Sequence, residues 1–116
     1  MVIEQRAVGN VTVLDLSGKL ALGDGDGLLK YKVNSLVHQG LKEIALNLGR
    51  LSYMDSAGLG ELISVHSTAT RAGGHIKIFN LTKRVSDLLA ITKVLTVFDV
   101  FESEQETLNS FPSTAR

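Results

Sequence analysis

From Glu43 onward the chain alternates short apolar runs with amphipathic stretches, and few architectures satisfy that order. Glu43-Ile44-Ala45-Leu46-Asn47-Leu48 and His75-Ile76-Lys77-Ile78-Phe79 read as strands. Between them Leu59, Leu62, Ile63, His66 and Thr70 recur at helical spacing and are expected to face inward, until Gly73-Gly74 ends the helix. Thr82 caps a further helix with Val85, Leu88, Leu89 and Thr92 inward. Leu95-Thr96-Val97-Phe98 is expected to be a last short strand, and Ser103-Glu104-Gln105-Glu106 is a capping box before a final helix. Upstream, Val2 to Ala7 and Val11 to Leu16 are strand candidates joined by Gly9-Asn10, a dipeptide suited to a tight hairpin. Apolar residues on both faces mark the second as a central strand, and Ser17-Gly18 is expected to end it. Gly23-Asp24-Gly25-Asp26-Gly27 signals a turn into a helix carrying Leu29, Val33, Leu36 and Val37, closed by Gly40. Strands separated by helices pair in parallel. The predicted fold is a single α/β domain over residues 1–111, with a mixed, mostly parallel sheet of four to five strands, about four helices and an opening antiparallel hairpin. Residues 112–116 are expected to be a flexible C-terminal tail.

Composition narrows the function. The 116 residues carry 12 basic and 12 acidic side chains, a balance that argues against a general binder of nucleic acid or anionic membrane. Cysteine is absent, which excludes disulfide frameworks, thiolate metal sites and cysteine nucleophiles. No apolar run approaches the ~20 residues of a membrane span. The start, Met1-Val2-Ile3-Glu4-Gln5-Arg6, lacks the basic and apolar regions of a signal peptide. The expectation is a cytoplasmic protein without membrane insertion.

One segment stands out. Met54-Asp55-Ser56-Ala57-Gly58-Leu59-Gly60 joins a strand to a helix, at the strand end where open α/β sheets carry their functional loops. Asp55 or Ser56 caps the helix. Glycine in a first helical turn costs about 1 kcal/mol relative to alanine. Gly58 and Gly60 therefore point to bare backbone, needed for close approach by another molecule or by a neighbouring strand. A plainer reading makes Asp55 only a cap and the glycines only packing aids.

The segment resembles the signature of the STAS family, and within it the bacterial anti-anti-sigma factors. That pattern is an Asp-Ser-(Ser/Thr/Ala)-Gly-Leu-Gly run behind an apolar strand and a short loop. Ile44-Ala45-Leu46-Asn47-Leu48, Leu16-Ser17-Gly18-Lys19-Leu20 and Gly73-Gly74 match as well, so the likeness covers roughly residues 3–109. It implies an anti-sigma factor antagonist rather than an enzyme, needing no cofactor or metal. It implies that Ser56 is phosphorylated by a partner kinase that is itself the anti-sigma factor. Unphosphorylated protein would bind that partner and free a sigma factor, and a metal-dependent serine phosphatase would restore the binding form. The implied partner-binding residues are Asp24, Met54, Asp55, Ser56, Ala57, Gly58, Leu59 and Gly60. The likeness departs from the family at Ala21, where many members carry an acid near the partner, with Asp24 or Asp26 as substitutes.

The chemistry suits the position. Phosphorylation adds about −1.5 to −2 charges. The N–H groups of Ala57 to Gly60 and the helix dipole are expected to stabilise that dianion locally, while a docked partner surface would be repelled. A serine nucleophile is disfavoured. Met54 breaks the Gly-x-Ser-x-Gly elbow, His66 lies about 15 Å along the same helix, and His38 and His75 belong on the opposite edge. His66 on the apolar stripe reads as a partly buried side chain rather than a ligand. Asp24-Gly25-Asp26 starts like a calcium loop but Leu28 and Ser35 stand at ligand positions. Gly23, Gly25 and Gly27 miss the dinucleotide spacing, and no P-loop is present. Lys77, Lys83, Arg84 and Lys93 read as a solvated charge pattern or, less simply, as a basic patch for an acidic partner surface. Two other roles fit the same resemblance: an interaction module in a stressosome-like or transporter-associated assembly, and a small-ligand sensor.

Overall fold

The computed structural model describes residues 1–23 and 27–112. Among them are five strands and four α-helices: β1 (Val2–Val8), β2 (Val11–Leu20), α1 (Leu28–His38), β3 (Glu43–Met54), α2 (Ser56–Arg71), β4 (His75–Phe79), α3 (Lys83–Ile91), β5 (Asp99–Phe101) and α4 (Glu104–Ser110). The strands lie side by side in chain order, β1 antiparallel to β2 and the rest parallel. This is the expected mixed α/β sheet with its opening hairpin.

Side-chain alternation divides the core in two. Leu14, Leu16, Ile44, Leu46 and Leu48 face α1, α2 and α3, which contribute Leu29, Val33, Leu36, Leu62, Val65, Val85 and Leu89. Val11, Val13, Ala45 and Phe79 share a smaller cluster with Phe111, just past α4. Lys77 is buried on this second side, where its ammonium donates to the Ser110 carbonyl at 3.0 Å and lies over the Phe111 ring. Arg6 joins the hairpin to α4 by bonding Asp15 at 2.6 Å and Glu104 at 2.7 Å.

Several boundaries differ from the sequence reading. Ser17-Gly18 does not end β2, which runs to Leu20 through two register shifts. Gly18, at φ +94°, fits the irregularity that a bulge requires, so glycine here bends a strand without stopping it. Residues 49–54 extend the strand beyond Leu48, where its apolar run ends, because Arg50, Leu51, Tyr53 and Met54 pair with the end of β2. The strand expected at Leu95–Phe98 is a 3₁₀ turn over Val94–Thr96, and pairing resumes only at Asp99. Its buried residues, Val94 and Phe98, are four apart, which is helical spacing rather than strand alternation. On α2 the inward stripe is Leu59, Leu62, Val65 and Ala69, while Ile63 and Thr70 are exposed. His66 is half-buried, edge-on to Phe98 with ring centroids 4.8 Å apart. Ile63 and Val65 straddle the stripe, so spacing alone admitted either rotation. Residues 113–116 of the expected tail lie outside the described residues.

Candidate functional site

β2 and β3 outrun the rest of the sheet. β4 pairs with β3 only over Glu43–Asn47, and β1 pairs with β2 only as far as Ser17. The segment from Ser17 to Leu20 and its partner from Arg50 to Met54 thus project as a two-stranded ribbon. Asp55 and the start of α2 sit at its tip, where the Asp55 N–H donates to the Leu20 carbonyl at 3.4 Å.

Asp55 is the N-cap of α2. One carboxylate oxygen accepts the Gly58 N–H at 2.9 Å, and the other accepts the Leu22 N–H at 3.0 Å. A single side chain therefore caps the helix and ties down the loop leaving β2. The Gly58 and Leu22 N–H groups favour the ionised form and hold its pKa below the ordinary carboxylate value. The linkage has a definite sign. Stability from this carboxylate is full above its unfolded pKa of about 3.9 and is lost as pH falls through the lower folded value. Acid titration followed by NMR is expected to move the Leu22 and Gly58 amides together, below the pH at which free aspartate protonates. Independent midpoints would contradict the shared carboxylate.

Ser56 follows as the first helical residue and is exposed, as are Ala57 and Gly60. Met54, Gly58 and Leu59 are buried, so of the expected partner-facing set these three support the surface rather than form it. Gly58 has a specific reason to be glycine. A Cβ there would fall on the Leu20 carbonyl oxygen, whereas one at Gly60 would meet nothing within 4 Å. Of the two readings of these glycines, Gly58 answers to the neighbouring strand. The expected anion cradle is also smaller than Ala57 to Gly60. Asp55 takes the Gly58 N–H with its side chain and the Leu59 N–H with its carbonyl, the latter at 2.9 Å. The first turn keeps the Ser56 and Ala57 N–H groups for an added charge, and Ala57 shares a minor part of the Asp55 field. Asp24 and Asp26 lie outside the described residues.

Glu61 escaped the sequence reading. It caps α1 from across the helix pair, accepting the Gly27 N–H at 3.3 Å and the Lys30 N–H at 2.8 Å. The signal was available in Gly27, an N-cap residue with no side chain of its own. Beside Asp55 opens a cleft of about 700 Å³ whose lining includes Lys19 and Tyr53 of the ribbon, Leu22 and Arg84. The histidines lie elsewhere. His75 bonds Glu43 at 2.8 Å where β3 and β4 begin, the far edge from Ser56, and His38 ends α1. Among the described residues no group of three or more acidic or histidine side chains could hold a metal ion, and no helix is long and apolar enough to cross a membrane.

Residues 2–107 match the STAS domain family across the strands, the ribbon and the capped helix. The chain belongs to the STAS family. It is 33% identical over 73 residues to the anti-sigma-B factor antagonist of Bacillus subtilis, spanning 63% of this chain and 66% of that one. It is 24% identical over 106 residues to the anti-sigma F factor antagonist of Paenibacillus polymyxa, spanning 91% of each. The anti-sigma factor antagonist SpoIIAA has the same fold in its unphosphorylated form, with a TM-score of 0.70 at 21% identity over 93% of this chain and 96% of that one. The phosphorylated form of SpoIIAA from Bacillus gives 0.73 at 21% identity, over 93% and 97%. The curated relatives of this STAS domain are thus named as antagonists of anti-sigma factors, which are binding proteins.

Proposed function

We propose that this protein is an anti-sigma factor antagonist switched by phosphorylation of Ser56. Unphosphorylated, it binds an anti-sigma factor that is also a serine kinase, and a sigma factor is released. A phosphoryl group on Ser56 ends that binding, and a serine phosphatase acting on it restores the binding form. The protein acts in the cytoplasm on a protein partner, and the chain itself contributes no catalytic group.

The observation that carries this reading is the exposed Ser56 at the positive end of α2, on the tip of the β2/β3 ribbon. A hydroxyl there is accessible to a kinase, and the dipole offsets the charge it receives. No histidine is placed to draw its proton, so the group is a substrate rather than a nucleophile. SpoIIAA, of the same fold, exists in phosphorylated and unphosphorylated forms, which supports the switch. The test is titration of the cognate anti-sigma factor against wild type, Ser56→Ala and Ser56→Asp. Tight binding by the first two and weak binding by the third is expected, and equal affinities would refute the switch.

A further inference from the structure

The cleft beside Asp55 combines features that the Ser56 switch leaves unused. Lys19 and Tyr53 stand opposite each other on β2 and β3, so both side chains leave the same face of the ribbon. Arg84 closes the other side from the first turn of α3, where a cation opposes the helix dipole and no acid accompanies it. Its neighbour Lys83 is paired with Asp87 at 2.9 Å, but among the described residues neither Arg84 nor Lys19 has a carboxylate partner. Asp55 also borders the cleft, with both carboxylate oxygens bonded to backbone N–H groups, so the described lining keeps one net positive charge. Beside the cations lie two large apolar side chains that the fold leaves open, Leu22 at 75% exposure and Tyr53 at 41%. Cations without a carboxylate partner beside exposed apolar side chains are complementary to an acidic, partly apolar surface.

We propose that this cleft seats an acidic segment of the partner protein, its carboxylates between Lys19 and Arg84 and an apolar neighbour against Leu22 and Tyr53. The proposal rests on the partner-binding reading of Ser56 and names the chemistry that the partner brings to the same edge.

The experiment is binding of the cognate anti-sigma factor to wild type, Lys19→Glu, Arg84→Glu and Ser56→Asp at two ionic strengths. Both cations are exposed, so the reversed variants are expected to melt like wild type. Each charge reversal is expected to weaken binding about tenfold, mainly by slowing association, and the deficit is expected to shrink in high salt. Wild-type affinity for both reversals, with Ser56→Asp still weak, would overturn this inference and leave the switch standing. No binding to wild type would overturn both. Inorganic phosphate is the control ligand. If it saturates the Lys19 and Arg84 amide shifts and displaces the partner, the cleft belongs to a small anion and the acidic-segment assignment is wrong.

Discussion

Gly58→Ala is expected to destabilise the fold by about 2–4 kcal/mol, although alanine is the better helix former by about 1 kcal/mol. The sign is set by contact. The new methyl would occupy the space of the Leu20 carbonyl oxygen, which is main chain in a paired strand and has little freedom to retreat. Overpacking against rigid backbone commonly costs 1–3 kcal/mol and sometimes more, a large share of a typical total stability of about 5–15 kcal/mol. Gly60→Ala provides the internal comparison. It sits two residues on in the same helix, has nothing within 4 Å of its would-be Cβ, and is expected to gain about 0.5–1 kcal/mol. Chemical denaturation of the two variants should thus move the midpoint in opposite directions. A shift of the same sign and size would mean that both glycines act only through helix propensity.

Ser56→Asp is expected to weaken anti-sigma factor binding about a hundredfold or more, equivalent to about 3 kcal/mol. Under the proposed switch the added charge would enter the partner interface beside the ionised Asp55 and would be repelled or left unpaired there. The fold does not share the penalty. An acid at the first helical position faces the positive end of the dipole and is worth a few tenths of a kcal/mol to the helix. Melting temperature should therefore hold or rise while affinity falls, which separates a binding switch from simple unfolding. Ser56→Ala removes only the hydroxyl of an exposed residue and should bind like wild type while resisting the kinase. A Ser56→Asp protein that melts early would place the defect in folding instead.

Much of the fold was legible because its signals are local. The Gly9-Asn10 turn, the Thr82 and Ser103 caps and the apolar run from Ile44 to Leu48 each announce one conformation, and each occurs as read. The ribbon was not legible. Ser17-Gly18 has the composition of a strand end, and only the pairing of the ends of β2 and β3 shows that both strands continue. The start of the final strand was misplaced for a related reason: the Val94–Phe98 run packs with helical spacing before any partner strand is reached. At the site, the strand-to-helix context called for a cap at Asp55 or Ser56, and the structure makes Asp55 the cap and leaves Ser56 exposed. The second bond of Asp55 to Leu22 spans 33 residues, and the reach of Glu61 to Lys30 spans 31. Contacts that long are set by tertiary placement and leave no periodic trace. Arg84 was visible only as one of several basic residues. Its separation from Lys77, which is buried beneath α4, required the three-dimensional arrangement.

The decisive measurement is the mass and site of modification after the protein is incubated with its anti-sigma factor and ATP. One added phosphoryl group, mapped to Ser56, absent from Ser56→Ala and accompanied by release of the partner, is the expected result. A phosphoryl group mapped to another residue, or a phosphorylated Ser56 that leaves the complex intact, would show that this hydroxyl does not control partner binding.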